Sequence, residues 1–128
     1  MTIDIAGRQR MLAQRISKNA CLIMTGLESE VALKEMAGAR QIYDASVNAL
    51  RFGMPDAGII ATTNPEILTK LDSVLELWHD MQPLLDSVAA GEDIADEHKA
   101  RIFHAMNSLT GQMNTIVGMY SDDSKQDL

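Results

Sequence analysis

The chain lacks the features of a disulfide-stabilised, membrane-spanning or nucleic-acid-binding protein. Its single cysteine, Cys21, cannot form an internal disulfide, although this leaves the compartment open. No apolar run approaches the ~20 residues that cross a bilayer, and Met1 is not followed by a basic and then apolar leader, so we expect a soluble chain. The net charge of −7 argues against nucleic acid, because binding phosphates needs a basic surface.

Candidate catalytic and metal-binding groups are also sparse. A di-iron bundle needs Glu-x-x-His on two helices, but only Glu76 and His79 have that spacing. His98 and His104 are six residues apart, which puts them on opposite faces of a helix. Cys21 is expected to be a small buried thiol rather than a nucleophile. We therefore expect no enzyme activity, no metal and no cofactor.

Apolar residues that recur at alternating steps of four and three positions predict helices throughout the chain. The predicted helices span roughly residues 2–26, 30–53, 65–90 and 94–121. The chain is also long enough to bury a core as one domain. The sequence therefore predicts an all-α protein, an antiparallel up-down-up-down four-helix bundle, with residues 1–128 as a single ligand-sensing domain.

The third helix has the clearest end signals. Asn64 is a capping side chain, Pro65 occupies the first helical position, and Glu66 places an acid in the first turn. Pro83 lies inside this helix and is expected to bend it without dividing it. Residues 54–63 mix turn-forming and apolar residues, so we expect a loop that packs partly on the bundle.

The first helix carries two stripes of residues where a simple amphipathic helix needs one. The first stripe is apolar and belongs to the core. The second keeps the spacing of a helix–helix contact but is filled by small and polar residues, and we call it the polar seam. Gly7 in a helix interior costs about 1 kcal/mol relative to alanine, which indicates the approach of another backbone or a ligand. The polar seam comprises Ile3, Gly7, Arg10, Gln14, Ser17 and Cys21.

Positive charge is concentrated around the polar seam. Residues 1–18 hold four basic residues and one acidic residue, a formal charge of +3, whereas residues 19–128 carry −10. If two copies of the first helix meet at the seam, the two Arg10 guanidinium groups converge and repel each other unless a negative group separates them. Arginine can give two parallel hydrogen bonds to a planar oxyanion. Spacing alone leaves two other interpretations open, in which Arg10 extends into solvent or pairs with an acid on another helix.

The segment around Arg10 resembles a known signature. Residues 5–15, I-A-G-R-Q-R-M-L-A-Q-R, look like the opening of the PilJ-type N-terminal domain of bacterial chemoreceptors and sensor kinases. The same segment is similar to the periplasmic P-box of the NarX/NarQ nitrate and nitrite sensor kinases. The Trp78 helix and residues 107–120, with Asn114 and Tyr120, resemble later parts of the PilJ-type domain. The residues that carry the shared core are Ala6, Gly7, Arg10, Met11 and Arg15.

The resemblance implies the periplasmic sensor domain of an inner-membrane receptor, which dimerises through its first helix and binds nitrate, or nitrite, on the twofold axis. Arg10 would be the principal ligand, with Gly7 and Ala6 letting the helix backbones approach the anion. Gln14, the next residue of the polar seam after Arg10, is added to the predicted ligand-binding set. Arg15 lies about 140° from Arg10 around the helix and is expected to have an intrasubunit or surface role. The output domain, kinase or methyl-accepting transducer, is left open.

A second sensor hypothesis keeps the pocket but replaces nitrate with another small anion. The main alternative hypothesis is a structural dimerisation or protein-interaction module of a receptor without a small-molecule ligand. In that case the polar seam is purely structural, and a carboxylate from the partner chain neutralises Arg10. Dimerisation that tightens with an anion would distinguish the sensor from this module.

Overall fold

The computed structural model describes the backbone of residues 2–126 and the side chains of residues 4–123. The part of the chain described forms four α-helices and, between the second and third, a short 3-10 helix, Pro55–Ala57. α1 packs against α2 and α4, and α3 packs against α4 and α2, which confirms the predicted all-α four-helix bundle. The helices are α1 (Thr2–Met24), α2 (Ser29–Phe52), α3 (Pro65–Ala89) and α4 (Asp96–Gln126).

Most helix ends lie within two residues of the predicted ends, with α4 starting at Asp96 rather than at residue 94, and the ends of α1 and α4 differ for identifiable reasons. α1 stops at Met24 because Gly26 adopts a left-handed backbone with φ of 75°, and the Leu27 amide donates to the Leu22 carbonyl at 2.9 Å, as in a glycine-terminated helix. α4 continues to Gln126 rather than ending near residue 121. The prediction ended this helix where its apolar series ends, but the polar residues that follow include no glycine or proline to interrupt the backbone.

The buried face of α1 is rich in alanine. Ala6, Ala13 and Ala20 follow one another at seven-residue intervals and are fully buried. Such small side chains let neighbouring helices approach, and α1 lies closer to α2 and α4 than α2 lies to α3. Gln9 is also fully buried, and its Nε2 donates to the Tyr43 carbonyl oxygen at 3.1 Å, which fixes α1 against α2.

Large rings fill the space between α2 and α3. The rings of Tyr43 and Trp78 are both buried, with centroids 4.3 Å apart. Trp78 Nε1 donates to Asp44 Oδ1 at 3.0 Å, so the polar edge of the indole is satisfied by a carboxylate at the surface. This pair anchors α2 to α3 where their backbones are farther apart.

Two arginines of α2 strengthen this contact by pairing with carboxylates of α3. Arg40 Nη2 donates to Asp86 Oδ1 at 2.8 Å and to Gln82 Oε1 at 2.7 Å. Arg51 Nε donates to Asp72 Oδ1 at 2.5 Å, and this carboxylate raises the pKa of the Arg51 guanidinium. Both cations are therefore neutralised within the chain.

The loop before α3 and the end of α4 meet at one end of the bundle. Asn64 Oδ1 accepts hydrogen bonds from the backbone nitrogens of Glu66 and Ile67, the cap that the sequence predicts. Its Nδ2 donates to Asp123 Oδ1 of α4 at 2.9 Å. Ile59 is buried, so the loop does pack partly on the bundle.

α3 continues through Pro83 as one helix. Of the helices in the described part of the chain, none combines the length and apolar character needed to cross a membrane.

The candidate ligand-binding surface

The polar seam lies on the outside of α1, beside α4. Arg10, Gln14 and Cys21 are exposed, whereas Gly7 and Ser17 are half-buried. The four-helix packing uses mainly the alanine-rich side of α1, roughly 100° around the helix from this face, and α4 borders one edge of the face. The seam is therefore an open surface of the single chain.

Three predicted residues stand apart from this description. Ala6 is 0% exposed and belongs to the core, because it lies one residue, and so about 100° around the helix, from Gly7. Its side chain does not line the surface, and only its backbone can approach a ligand. Cys21 is exposed rather than buried, since no other element covers the seam. The side chain of Ile3 lies outside the described residues.

Arg10 stays at the exposed surface, as one of the two open interpretations has it, but its guanidinium is hydrogen-bonded to a side chain of another helix. Its Nη1 donates to Oδ1 of Asn114 on α4 at 2.5 Å, and it forms no ion pair with a carboxylate of the described residues. The guanidinium is thus held in place by a neutral amide. Its positive charge remains uncompensated within this part of the chain, and the N–H groups on Nε and Nη2 are free to bind another acceptor.

Gly7 lies one helical turn before Arg10 on the same face. A Cβ added at this position would meet nothing within 4 Å in the chain. Intrachain packing therefore gives no reason for a glycine here, and its unfavourable helix propensity is not offset by any internal contact. A backbone or ligand that approaches from outside the chain would provide that reason.

The seam continues into a groove of about 190 Å³ between α1 and α4. Phe103 forms one wall of this groove and is 57% exposed, and Met11, beside Arg10, is 62% exposed. An exposed apolar side chain thus borders the Ser17–Cys21 end of the seam and another follows Arg10, as apolar side chains do at many protein–protein contacts. The groove is lined by Ser17, Cys21, Met24 and Thr25 of α1 and by Lys99, Ile102 and Phe103 of α4.

The remaining basic residues of α1 point elsewhere. Lys18 Nζ lies 3.4 Å from Glu35 Oε2 of α2. The amide of Asn19, then Lys18 and, more weakly, Arg15 lower the pKa of the Glu35 carboxyl. Arg15 thus acts on α2 of the same chain, on a different face of α1 from Arg10.

The histidines offer no alternative site. His79, His98 and His104 are exposed. Within the part of the chain that the structure describes, no group of three or more histidine, cysteine or acidic residues is arranged to hold a metal ion.

The four-helix bundle thus presents an arginine, held by a neutral amide, on an exposed face of its first helix. The family model for the N-terminal part of type IV pili methyl-accepting chemotaxis transducers, PilJ, matches residues 1–101. The chain therefore belongs to the PilJ family, which confirms the resemblance seen in residues 5–15.

Known relatives agree with this assignment. The chain is 29% identical over 121 residues to the methyl-accepting chemotaxis protein McpN of Pseudomonas aeruginosa strain PAO1, an alignment that covers 94% of the chain. It spans only 22% of the length of McpN. The solved ligand-binding domain of the P. aeruginosa nitrate receptor McpN matches with a TM-score of 0.80 and 25% identity, over 96% of this chain and 95% of that one. The chain is accordingly a sensor domain of the chemoreceptor type.

Proposed function

We propose that this domain binds a small planar oxyanion, nitrate in first place and nitrite in second, between the α1 helices of a homodimer. The observation that carries the proposal is the environment of Arg10, which is exposed on an uncovered helix face and has no carboxylate partner among the described residues. McpN, whose ligand-binding domain has the same fold, is a nitrate receptor.

The geometry of a symmetric pair explains why an anion is needed. When two α1 helices meet at the polar seam, two Arg10 guanidinium groups face each other across the twofold axis. Their repulsion opposes association, and one bound anion between them replaces repulsion with two attractive contacts. Nitrate matches the planar donor fork of arginine, and Gly7 leaves room for the helix backbone beside the anion.

The antiparallel arrangement of the helices supports a route by which α1 and α4 transmit the signal to the membrane. Four antiparallel helices bring Thr2 and Gln126 to the same end of the bundle, as expected of a periplasmic domain inserted between membrane segments of an inner-membrane receptor. An anion that binds one arrangement of the paired α1 helices better than another shifts the population toward it. Coupling of this kind is typically ~1–3 kcal/mol. The PilJ family consists of sensor domains, a non-catalytic kind of protein.

The proposal is tested by titration calorimetry of the purified chain with nitrate, nitrite and chloride. We expect micromolar nitrate binding at about one anion per dimer, and loss of binding in Arg10→Ala. Arg8→Ala is the matched control, because Arg8 is an exposed arginine of the same helix on another face. Absence of binding to every anion, or equal losses in the two variants, contradicts the proposed site.

Cys21 gives a separate test of the dimer. In a parallel pair of α1 helices the seam brings Cys21 near its copy, and mild oxidation should link the two chains, provided that their Cα atoms approach within about 7 Å. Cys21→Ser should abolish the link. Moving the thiol to the other face, in Arg8→Cys combined with Cys21→Ser, should not restore it. Efficient cross-linking without anion binding would favour the structural dimerisation module.

A further inference from the structure

Asn114 is the described residue that holds Arg10, although sequence reasoning gave it no role. Its Oδ1 lies 2.5 Å from Arg10 Nη1, and both side chains are exposed on the α1–α4 side of the bundle. The two residues are 104 positions apart in the chain, so this contact depends on how α4 packs beside α1. It is the one side-chain hydrogen bond of this guanidinium among the described residues.

The contact restricts an otherwise flexible side chain. A free arginine loses many rotamers when it binds a ligand, and that loss weakens affinity. Asn114 removes part of this freedom in advance by fixing one end of the guanidinium. Because it accepts only from Nη1, the edge formed by Nε and Nη2 is left for a planar oxyanion.

The chemistry of the acceptor matters as much as its position. A carboxylate at residue 114 would hold Arg10 equally well but would neutralise its charge and present a second oxygen that repels an anion. An amide has one accepting oxygen, and its other end is a hydrogen-bond donor. It therefore orients Arg10 while the cationic charge stays available.

We propose that Asn114 is a positioning residue of the anion site, which holds the Arg10 guanidinium in its binding orientation without neutralising it. The inference rests on the proposed anion site and adds to it a residue of α4. It also gives that helix a direct link to the ligand, because a shift of α4 along α1 moves the acceptor that orients Arg10.

The test compares Asn114→Asp and Asn114→Ala with the wild-type chain in calorimetric titrations with nitrate. Asn114→Asp keeps the acceptor but neutralises Arg10, so nitrate affinity should fall by about tenfold or more. Asn114→Ala removes the acceptor without adding charge, and affinity should fall by roughly three- to tenfold. Unchanged nitrate affinity in either variant overturns the proposal.

Asn107→Asp is the matched control. Asn107 is an exposed asparagine of α4, two helical turns before Asn114, and the substitution changes the net charge by the same amount. Its nitrate affinity should remain within about twofold of the wild-type value, because a distant exposed charge is screened. If nitrate affinity falls equally in Asn107→Asp and Asn114→Asp, the loss is due to general charge repulsion, and the proposal is overturned.

Dimerisation without ligand separates positioning from a merely structural role. An Arg10–carboxylate pair in each subunit removes the repulsion at the axis, so Asn114→Asp should dimerise more tightly than the wild type in the absence of anion while binding nitrate more weakly. Parallel losses of dimerisation, thermal stability and affinity in this variant would indicate only a structural contact. If the wild-type chain binds no anion, the proposed function itself fails, whereas normal binding in Asn114→Asp overturns only the role of Asn114.

Discussion

The α2–α3 side of the bundle and the α1–α4 side both contain arginines that reach from one helix to the next, but the two sides satisfy them differently. Arg40 and Arg51 meet carboxylates, Asp86 and Asp72, at 2.8 and 2.5 Å. Arg10 meets an amide. The two arginines that join α2 to α3 thus have an internal counter-charge, whereas Arg10, which joins α1 to α4, has none among the described residues and lies on the exposed face of α1.

The same contrast appears in packing. Between α2 and α3, buried aromatic rings fill the space, and the indole N–H of Trp78 reaches the surface carboxylate of Asp44. Along the outside of α1, Gly7 has open space above it and Met11 is largely exposed. The α2–α3 side is therefore fully packed within the chain. The outside of α1 is not, and it has the features of a surface that contacts a second molecule. Substitutions on the α2–α3 side should therefore lower the unfolding free energy and leave anion binding unchanged. Substitutions on the outside of α1 should weaken anion binding without lowering stability appreciably.

The largest effect is expected from Trp78→Ala on the α2–α3 side. Removing a buried indole that packs on Tyr43 should lower the unfolding free energy by about 3–5 kcal/mol. Met11→Ala, which truncates an exposed side chain, should change it by less than ~0.5 kcal/mol. Urea unfolding of the two variants measures both values. Similar losses in the two variants would mean that α1 is already covered in the single chain.

Arg40→Ala and Arg10→Ala form a reciprocal pair. Arg40 is mostly buried and hydrogen-bonded, so Arg40→Ala should lower the unfolding free energy by about 1 kcal/mol and leave nitrate affinity unchanged. Arg10→Ala should abolish nitrate binding and, without anion, change the unfolding free energy by less than ~0.5 kcal/mol. Unfolding curves and calorimetric titrations measure the two quantities. If Arg10→Ala is the more destabilising variant, the proposed difference between the two arginines is wrong.

Gly7→Ala should raise stability and reduce binding. With nothing within 4 Å of the added Cβ, the better helix propensity of alanine should raise the unfolding free energy of the dilute, anion-free chain by roughly 0.5–1 kcal/mol. The same methyl group should hinder the close approach of a second α1 and weaken nitrate binding. Gly38→Ala, on an exposed and equally open position of α2, is the control that should gain stability without losing affinity. Equal nitrate affinity in both variants would remove Gly7 from the site.

The smallest effect near neutral pH concerns the buried tyrosines. Burial raises the pKa of Tyr43, and burial together with nearby Asp123 raises that of Tyr120 to about 12. Because the unfolded chain ionises its tyrosines near pH 10, the resulting stability is fully present below that pH and is lost as pH rises from about 10 toward 12. Unfolding free energies across this range measure the slope. Tyr43→Phe should make the slope shallower, and an unchanged slope would exclude Tyr43 as a contributor.

The sequence predicts the parts of this molecule that depend on local, periodic patterns. Alternating apolar steps identify four helices, Asn64 and Pro65 mark the start of α3, and the four-three spacing of small and polar residues identifies the outer face of α1. Each of these signals lies within a few turns of one helix, where side-chain directions follow from the helical repeat alone. The PilJ resemblance of residues 5–15 arises from the same segment.

Contacts between helices could not be predicted in this way. The distance from Arg10 to Asn114 depends on the axial register of α4 against α1, which no spacing within either helix encodes. The burial of Ala6 and the exposure of Cys21 similarly depend on which faces of α1 its neighbours cover. The only sequence signal for Asn114 is its place in a segment that resembles the later part of PilJ-type domains, and that signal carries no chemical role.

The Arg10–Asn114 contact has a consequence for how such receptors diversify. The codons of asparagine and aspartate differ only in their first base. A single nucleotide substitution at residue 114 therefore converts a neutral acceptor into a permanent internal counter-ion. On the proposed mechanism, one nucleotide change therefore separates a receptor that dimerises in response to an anion from one that dimerises without it. The reverse change restores the response to the anion.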